Sequence, residues 1–234
     1  MIARQRSTTA AEVARPTVAA GPTAEEAARP AIAADHADGG TVRPVVEAGH
    51  ADGGTVRPVI AVRRVGADEA RLRESALAEA LADVLIDCVE GGASVSFMLP
   101  LSRDKALTFW RGVLAGAARQ ERVLLVAETA IGRIIGTVQL ITALPDNQPH
   151  RADIAKMLVH RDARRQGVAA MLLAAVDQTA RDEGKTVLVL DTVTGSDAER
   201  LYQRAGWQIA GMVPNYALMP DGAFCGTTFL YKQL

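Results

Sequence analysis

The sequence predicts an α+β domain over residues 56–234, built as a β-sheet with helices on both faces. Short apolar runs typical of strands alternate there with segments whose apolar residues recur at helical spacing. Glycines close several of these segments, as at Gly91–Gly92 and Gly206. The resulting order, β-α-α-β-β-β-α-β-α-β-β, predicts the fold class.

The first half of this domain begins with a strand at Val59–Val62. Apolar residues at helical spacing then predict a helix over 68–89. Ser102 fits as the N-cap of a second helix, because its hydroxyl can accept from a free backbone N–H. Three strands are predicted next, near 121–128, 132–143 and 151–160.

The second half begins with a glycine turn that opens a helix ending near Gly184. A buried strand follows at Val187–Leu190, and a short helix is predicted over Asp197–Ala205. Two final strands are predicted near 207–213 and 225–232.

Residues 1–55 differ in kind from the rest of the chain. They are rich in Ala, Pro, Gly, Thr and Glu and contain no aromatic residue. The segment His36–Val45 recurs letter for letter at His50–Val59, a 14-residue tandem repeat. Two copies of this length cannot build a repeat fold. We therefore expect a disordered extension.

Charge and cysteine content exclude several classes of protein. The chain has 234 residues and a formal net charge of −1, which gives no basic surface for nucleic acid or anionic membrane. No apolar run approaches the length of about 20 residues that spans a bilayer. Cys88 and Cys225 are too few for a disulfide framework or a zinc site, and we expect no metal. Two isolated cysteines fit a cytoplasmic protein.

The segment Arg164–Ala169 reads Arg-x-x-Gly-x-Ala and lies between an apolar strand and an amphipathic helix. A glycine turn that opens a helix presents unpaired N–H groups and the positive end of the helix dipole. Arg164 and Arg165 add positive charge beside them. The motif predicts a pyrophosphate site, and the alternative is an ordinary strand-to-helix turn.

A second motif, Leu-Tyr-x-x-x-Gly-Trp at Leu201–Trp207, follows this turn with one strand between them. With both motifs and the order of elements, the chain resembles the GCN5-related N-acetyltransferases over residues 56–234. The resemblance implies a mixed, mostly antiparallel sheet of six or seven strands. It also implies acetyl-CoA as co-substrate and allows a homodimer formed through sheet edges or terminal strands.

Four segments look more specifically like the tabtoxin resistance acetyltransferases: Gly91–Met98, Lys156–Val159, Leu190–Thr192 and Pro214–Gly222. Those enzymes acetylate the free amine of tabtoxinine-β-lactam, an amino-acid-like toxin. The resemblance implies direct transfer to the amine of a small molecule, such as a toxin or antibiotic. Two alternatives stay open: transfer to a protein amine, and an acyl-CoA-binding sensor without catalysis.

Acetyl transfer to an amine needs a base, because an alkylammonium has a pKa near ~10. Asp153 lies in an apolar strand, matches a catalytic glutamate of the resembled enzymes and is the first candidate base. Asp191 ends an apolar run and is the second. Both could instead be strand-end carboxylates that cap N–H groups. Tyr202 is the candidate acid for the leaving thiolate, and its alternative is a core aromatic.

By resemblance, main-chain groups of Met157 and Val159 bind the pantetheine arm as an added strand would. The residues expected to contact the cofactor are Met157, Leu158, Val159, Arg164, Arg165, Gln166, Gly167, Val168, Ala169 and Tyr202. Candidate residues for binding the amine are Ser94, Phe97, Asp153, Asp191, Tyr216 and Asp221. Gly195 is a departure, because many family members carry Asn seven residues before the tyrosine.

Overall fold

The structure, a computed structural model, describes residues 59–234. The extension predicted over 1–55 lies outside the described residues. The strands are Ile60–Arg64 (β1), Arg122–Thr129 (β2), Ile134–Ile141 (β3), Arg151–Val159 (β4), Val187–Val193 (β5), Gln208–Leu218 (β6) and Phe224–Gln233 (β7). The α-helices are Ala67–Leu72 (α1), Glu74–Glu90 (α2), Arg103–Ala118 (α3), Val168–Asp182 (α4) and Asp197–Arg204 (α5).

The strands form one sheet in the order β1-β2-β3-β4-β5-β7-β6. All neighbouring strands are antiparallel except β4 and β5. The parallel pairing of β4 with β5 begins at Arg151 opposite Val187 and stops at Asp153 opposite Val189, although both strands continue. A gap therefore opens in the middle of the sheet. The predicted mixed, mostly antiparallel sheet is confirmed.

Helices cover both faces of the sheet, as the sequence predicts. On one face α1, α2 and α3 pack in a core that includes Leu81, Trp110 and Leu124. On the other face α4 and α5 pack against Leu188 and Leu230. Ser102 caps α3 as predicted, since its Oγ accepts from Lys105 N–H at 3.3 Å. Within residues 59–234 no helix is long and apolar enough to cross a membrane.

The helix predicted over 68–89 is broken into two. Arg73, with φ −115° and ψ 20°, separates α1 from α2. Ala70 and Leu77 are both buried and stand at i and i+7, so the apolar stripe continues across the break. Periodicity alone therefore cannot detect it.

The strand predicted near 207–213 extends further, to Leu218. Pro214 and a left-handed Asn215, with φ 53°, interrupt its regular alternation. The register with β7 shifts between Val213 and Ala217, and pairing then resumes. A bulge of this kind hides the continuation of a strand from a pattern search.

Candidate active site

The second half of β4 contains a bulge. Thr137 of β3 lies opposite Leu158, whereas Gln139 lies opposite Ala155, so β4 carries extra length between these pairs. Lys156 has a φ of 49° there, a left-handed angle that is uncommon for a residue other than glycine. Bulges recur next to active sites because they redirect side chains.

The bulge decides which main-chain groups of β4 face the gap. His160 N–H donates to the Ile135 carbonyl of β3 at 2.9 Å, so the main-chain groups of Val159 point to the opposite edge. From that edge Arg164 Nε donates to the Val159 carbonyl at 3.3 Å. The predicted pantetheine segment, Met157–Val159, thus borders an edge that has no neighbouring strand.

The turn between β4 and α4 has the geometry of an anion site. Arg165 and Gly167 both have left-handed φ values, 61° and 84°, an arrangement that turns successive N–H groups to one side. In the described part of the chain no acceptor bonds the N–H groups of residues 165–170, and the first intrahelical bond runs from Met171 N–H to the Gly167 carbonyl at 3.0 Å. These free donors lie at the positive end of α4. The turn therefore offers what a pyrophosphate needs.

Two glycines shape this turn for different reasons. A Cβ on Gly167 would meet no atom within 4 Å, so its φ of 84°, not a lack of space within the protein, requires glycine. A Cβ on Gly136 of β3 would lie 3.1 Å from both the Leu158 carbonyl and Val168 Cγ1. Gly136 therefore lets the first turn of α4 lie against the sheet. Sequence reasoning missed it, because glycine within an apolar strand gives no sign of its neighbours.

The side chains of the predicted anion turn divide into exposed and buried ones. Arg164, Arg165 and Gln166 are exposed, and Gln166 Nε2 donates to the Asp162 carbonyl at 2.9 Å. Val168 is buried in the core, so only its main chain is available to a ligand. The positive charge beside the free N–H groups comes from the two arginines.

Tyr202 of α5 is 6% exposed and packs edge-to-face with Trp207 at 5.8 Å between ring centroids. Burial raises the pKa of Tyr202, and the negative charge of Asp191 raises it further. Its hydroxyl therefore stays protonated at neutral pH and, within residues 59–234, has no hydrogen-bond partner. Tyr202 is therefore a core aromatic residue whose hydroxyl also carries the proton that a general acid donates.

A reciprocal cap fixes the start of α5 and with it Tyr202. Ser196 Oγ accepts from Glu199 N–H at 3.1 Å, and Glu199 Oε2 accepts from Gly195 N–H. Gly195 has a φ of 75°, which suits glycine better than the asparagine of many family members. The Ser-x-x-Glu spacing is that of a capping box, although Glu199 here accepts from the residue before the N-cap Ser196.

Asp153 and Asp191 lie on the same face of the sheet. Asp153 lies opposite Val189, and Asp191 follows on the same strand. Ile154 and Leu190, their neighbours in sequence, are buried on the face covered by α4. Because side chains alternate along a strand, both carboxylates project to the face that carries α1–α3.

The two carboxylates have different partners. Asp153 forms an ion pair with Arg151. Asp191 is exposed and has neither an ion pair nor a hydrogen bond with any residue described by the structure. Its charge adds to the rise in the pKa of Tyr202 and opposes the lowering of the Lys156 pKa by burial. Asp191 is therefore the carboxylate that is free to receive a cation.

The loop 91–102 is tied to the hairpin formed by β6 and β7. Ser94 Oγ donates to the Leu218 carbonyl at 2.9 Å. Leu99 N–H donates to the Pro220 carbonyl at 3.0 Å. Two of the segments behind the resemblance thus lie side by side.

Two aromatic residues predicted to bind the amine occupy different positions. Phe97 is buried and meets Phe109 edge-on at 5.2 Å. Tyr216 is 54% exposed and meets Phe229 at 5.5 Å. Tyr216 therefore contacts the residue that pairs with Asp191 in the sheet.

Asp221 has a local role in the turn between β6 and β7. Its Oδ1 accepts from Ala223 N–H at 3.1 Å, and the residue is exposed. This is the behaviour of an ordinary turn aspartate. No contact within the described residues brings it to Asp191.

A charged cleft of about 400 Å³ lies beside α2 and the turn between β2 and β3. Asp87 in its wall accepts from Arg161 N–H at 2.7 Å and lies 3.6 Å from His160 Nε2. Burial acts to raise the pKa of Asp87, but the hydrogen bonds from Arg161 and the charges nearby outweigh it and lower the pKa. These contacts hold the end of β4 against α2.

Comparison with known proteins agrees with this geometry. The acetyltransferase (GNAT) family model matches residues 93–207, from the loop after α2 to just past the end of α5. An uncharacterized N-acetyltransferase of Azospirillum brasilense is 34% identical over 113 residues, 47% of this chain. The chain spans 65% of the length of that relative.

Solved structures share the fold. A GCN5-related N-acetyltransferase from Kribbella flavida superposes with a TM-score of 0.61 at 22% identity, covering 75% of this chain and 98% of its own. A protein from Salmonella typhimurium, solved with its cofactor acetyl-CoA, superposes with a TM-score of 0.58 at 20% identity. The match covers 75% of this chain and 94% of that protein. The more specific resemblance to the tabtoxin resistance acetyltransferases stays a prediction. Residues 93–207 of this chain thus match the GNAT acetyltransferase family model, and the chain shares the fold of solved GNAT structures.

Proposed function

We propose that this protein transfers the acetyl group of acetyl-CoA directly to the amine of a small molecule. One observation carries the proposal: the free N–H groups of residues 165–170 come a few residues after the part of β4 that has no strand beside it at the gap. In coenzyme A the pantetheine arm is joined to the pyrophosphate. The chain offers an extended strand edge for the pantetheine arm and, next to it, an anion turn for the pyrophosphate.

The nucleotide end of coenzyme A has a candidate location next to this turn. A cleft of about 350 Å³ lies between α4 and α5, lined by Ala170 and Leu173 on one side and by Leu201 and Arg204 on the other. Its apolar walls suit a base, and Arg204 suits a phosphate. Because Ala170 ends the row of free N–H groups, the cleft continues the proposed cofactor site.

Asp191 and Asp153 supply the negative charge on the face where the amine is proposed to bind. Asp191 is free to accept the ammonium or its proton, whereas Asp153 is held by Arg151 and is proposed to act through a water. Tyr202, kept protonated by burial, is proposed to donate a proton to the departing sulfur. Bound acetyl-CoA would supply the activated thioester. The amine is then the nucleophile, and no covalent enzyme intermediate is needed.

The acceptor is proposed to be a small amine, with a toxin or antibiotic such as tabtoxinine-β-lactam as the leading class. Support comes from the resemblance of the segments Gly91–Met98 and Pro214–Gly222, which the Ser94–Leu218 hydrogen bond holds together. Phe97 and Tyr216 are proposed as walls of this acceptor site.

Release of free thiol from acetyl-CoA, measured against a panel of amines that includes tabtoxinine-β-lactam, tests the proposal. Turnover with a small amine is expected. If acetyl-CoA binds but no amine is turned over, the protein is instead an acyl-CoA sensor. Turnover with peptides only would assign it to protein amines.

A further inference from the structure

Lys156 places a positive charge on the same face of the sheet as Asp153 and Asp191. The bulge in β4 holds this residue at a φ of 49°, and its Nζ donates to Ser96 Oγ at 3.3 Å. Ser96, in the loop 91–102, also has a left-handed φ, 74°. Two residues other than glycine thus adopt strained angles where their side chains meet, which is typical of functional sites.

The ammonium of Lys156 is partly removed from water without a counter-ion in contact. It lies 5.6 Å from the centre of the Phe109 ring, and the residue is partly buried. No carboxylate forms an ion pair with it within residues 59–234. Burial lowers the pKa of Lys156, and Asp191 only partly opposes this. An anion binding beside Lys156 would offset the cost of burying its charge.

Lys156 and Asp191 therefore form an arrangement with two charges of opposite sign. They stand on the two strands that border the gap, each without an ion-pair partner among the described residues. A molecule that carries both an ammonium and a carboxylate matches this arrangement, with each end facing the opposite charge. A polyamine would instead place a second cation against Lys156.

We propose that the acceptor is an amino acid or a close analogue, whose carboxylate binds Lys156 while its ammonium is received by Asp191. This inference rests on the proposed function, because it names the class of molecule that the same site acetylates. It separates a free amino acid from a lysine within a protein, whose carboxyl group is consumed in the peptide bond. Lys156 is then a specificity-determining residue.

Matched pairs of amines that differ by a single carboxylate test the proposal. The pairs are L-lysine with cadaverine, L-ornithine with putrescine, and L-norleucine with pentylamine. Thiol release from acetyl-CoA gives kcat/KM for each amine. One charge-assisted contact predicts that the carboxylate member of a pair is favoured roughly tenfold to a hundredfold.

Lys156→Met keeps the length of the side chain and removes its charge, so the ratio within each pair should fall to near one. Lys105→Met is the matched control, because Lys105 is exposed and lies 5.9 Å from the Phe97 ring centre in the same region. It should keep the wild-type ratio. Thermal unfolding confirms that both variants are folded.

Calorimetric titration of the CoA-loaded protein with the same pairs gives a readout that is independent of turnover. Tighter binding of the carboxylate member of each pair, with this preference lost in Lys156→Met, supports the inference. It does so even if no amine is acetylated. In that case only the proposed function fails. A wild-type ratio near one in turnover and in binding overturns the inference. So does an equal loss for both members of each pair in Lys156→Met, which would indicate a structural role.

Discussion

Replacing Gly167 by valine isolates the contribution of the anion turn. The φ of 84° is left-handed, and a Cβ there meets no protein atom within 4 Å, so the substitution strains the backbone without a steric clash. Holding a residue other than glycine at such an angle costs about 1–3 kcal/mol. The turn relieves this strain by rotating, which swings its N–H groups away from a common point.

This rotation of the turn weakens the binding of acetyl-CoA. A hydrogen bond to a charged group contributes about 1.5–3 kcal/mol, so losing one N–H contact to the pyrophosphate should raise the Kd for acetyl-CoA roughly tenfold to a hundredfold. Isothermal titration calorimetry measures this Kd, and thermal unfolding measures the strain.

Gly132→Val provides the matched control. Gly132 has a φ of 79°, and its Cβ would likewise meet no atom within 4 Å, but it lies in the turn between β2 and β3. The two variants should lose similar stability, and only Gly167→Val should lose affinity for acetyl-CoA. Equal Kd values for both variants and the wild type would refute the assignment of the pyrophosphate to this turn.

Three further variants test the remaining parts of the site. Tyr202→Phe should lower kcat with little change in the Kd for acetyl-CoA, because its contact is made mainly in the transition state; wild-type kcat would remove Tyr202 from the mechanism. Since the pKa of Tyr202 is raised, its hydroxyl remains protonated as pH rises, and the alkaline fall of kcat due to this residue should lie above pH ~10. The contradicting result is a fall of kcat near pH ~8 in the wild type that disappears in Tyr202→Phe. Asp191→Asn should lower kcat/KM for amines while acetyl-CoA binding persists, and unchanged kcat/KM would assign the base to another group. Gly136→Val should overpack the contact with α4 and cost about 1–3 kcal/mol of stability, read as a lower Tm, together with weaker acetyl-CoA binding; an unchanged Tm would contradict the close approach of α4 to β3.

The proposed cofactor side of the site can be predicted from the sequence because its signals are local. Gly167 and the arginines before it stand in one short motif, and the free N–H groups follow from how a glycine turn opens a helix. The acceptor side depends on contacts between distant segments. Ser94 contacts Leu218, and Tyr216 contacts the residue paired with Asp191, only through the order of strands in the sheet.

The residues missed by sequence reasoning share one cause. Lys156 looks like an ordinary strand residue until the register shows the bulge that redirects its side chain. Gly136 looks like any small residue in a strand until α4 is seen against it. Neither feature changes the apolar pattern on which such reasoning depends.

The sequence by itself predicted the fold class and the glycine turn that opens α4, because apolar periodicity, caps and glycine turns act over a few neighbouring residues. Only the tertiary structure decided which carboxylate is free and that Lys156 shares its face of the sheet. Asp153 is occupied by Arg151, whereas Asp191 stands beyond the point where β4 and β5 cease to pair. The balance of charge at a site is a property of strand register and burial, and both are set by the packing of the whole sheet.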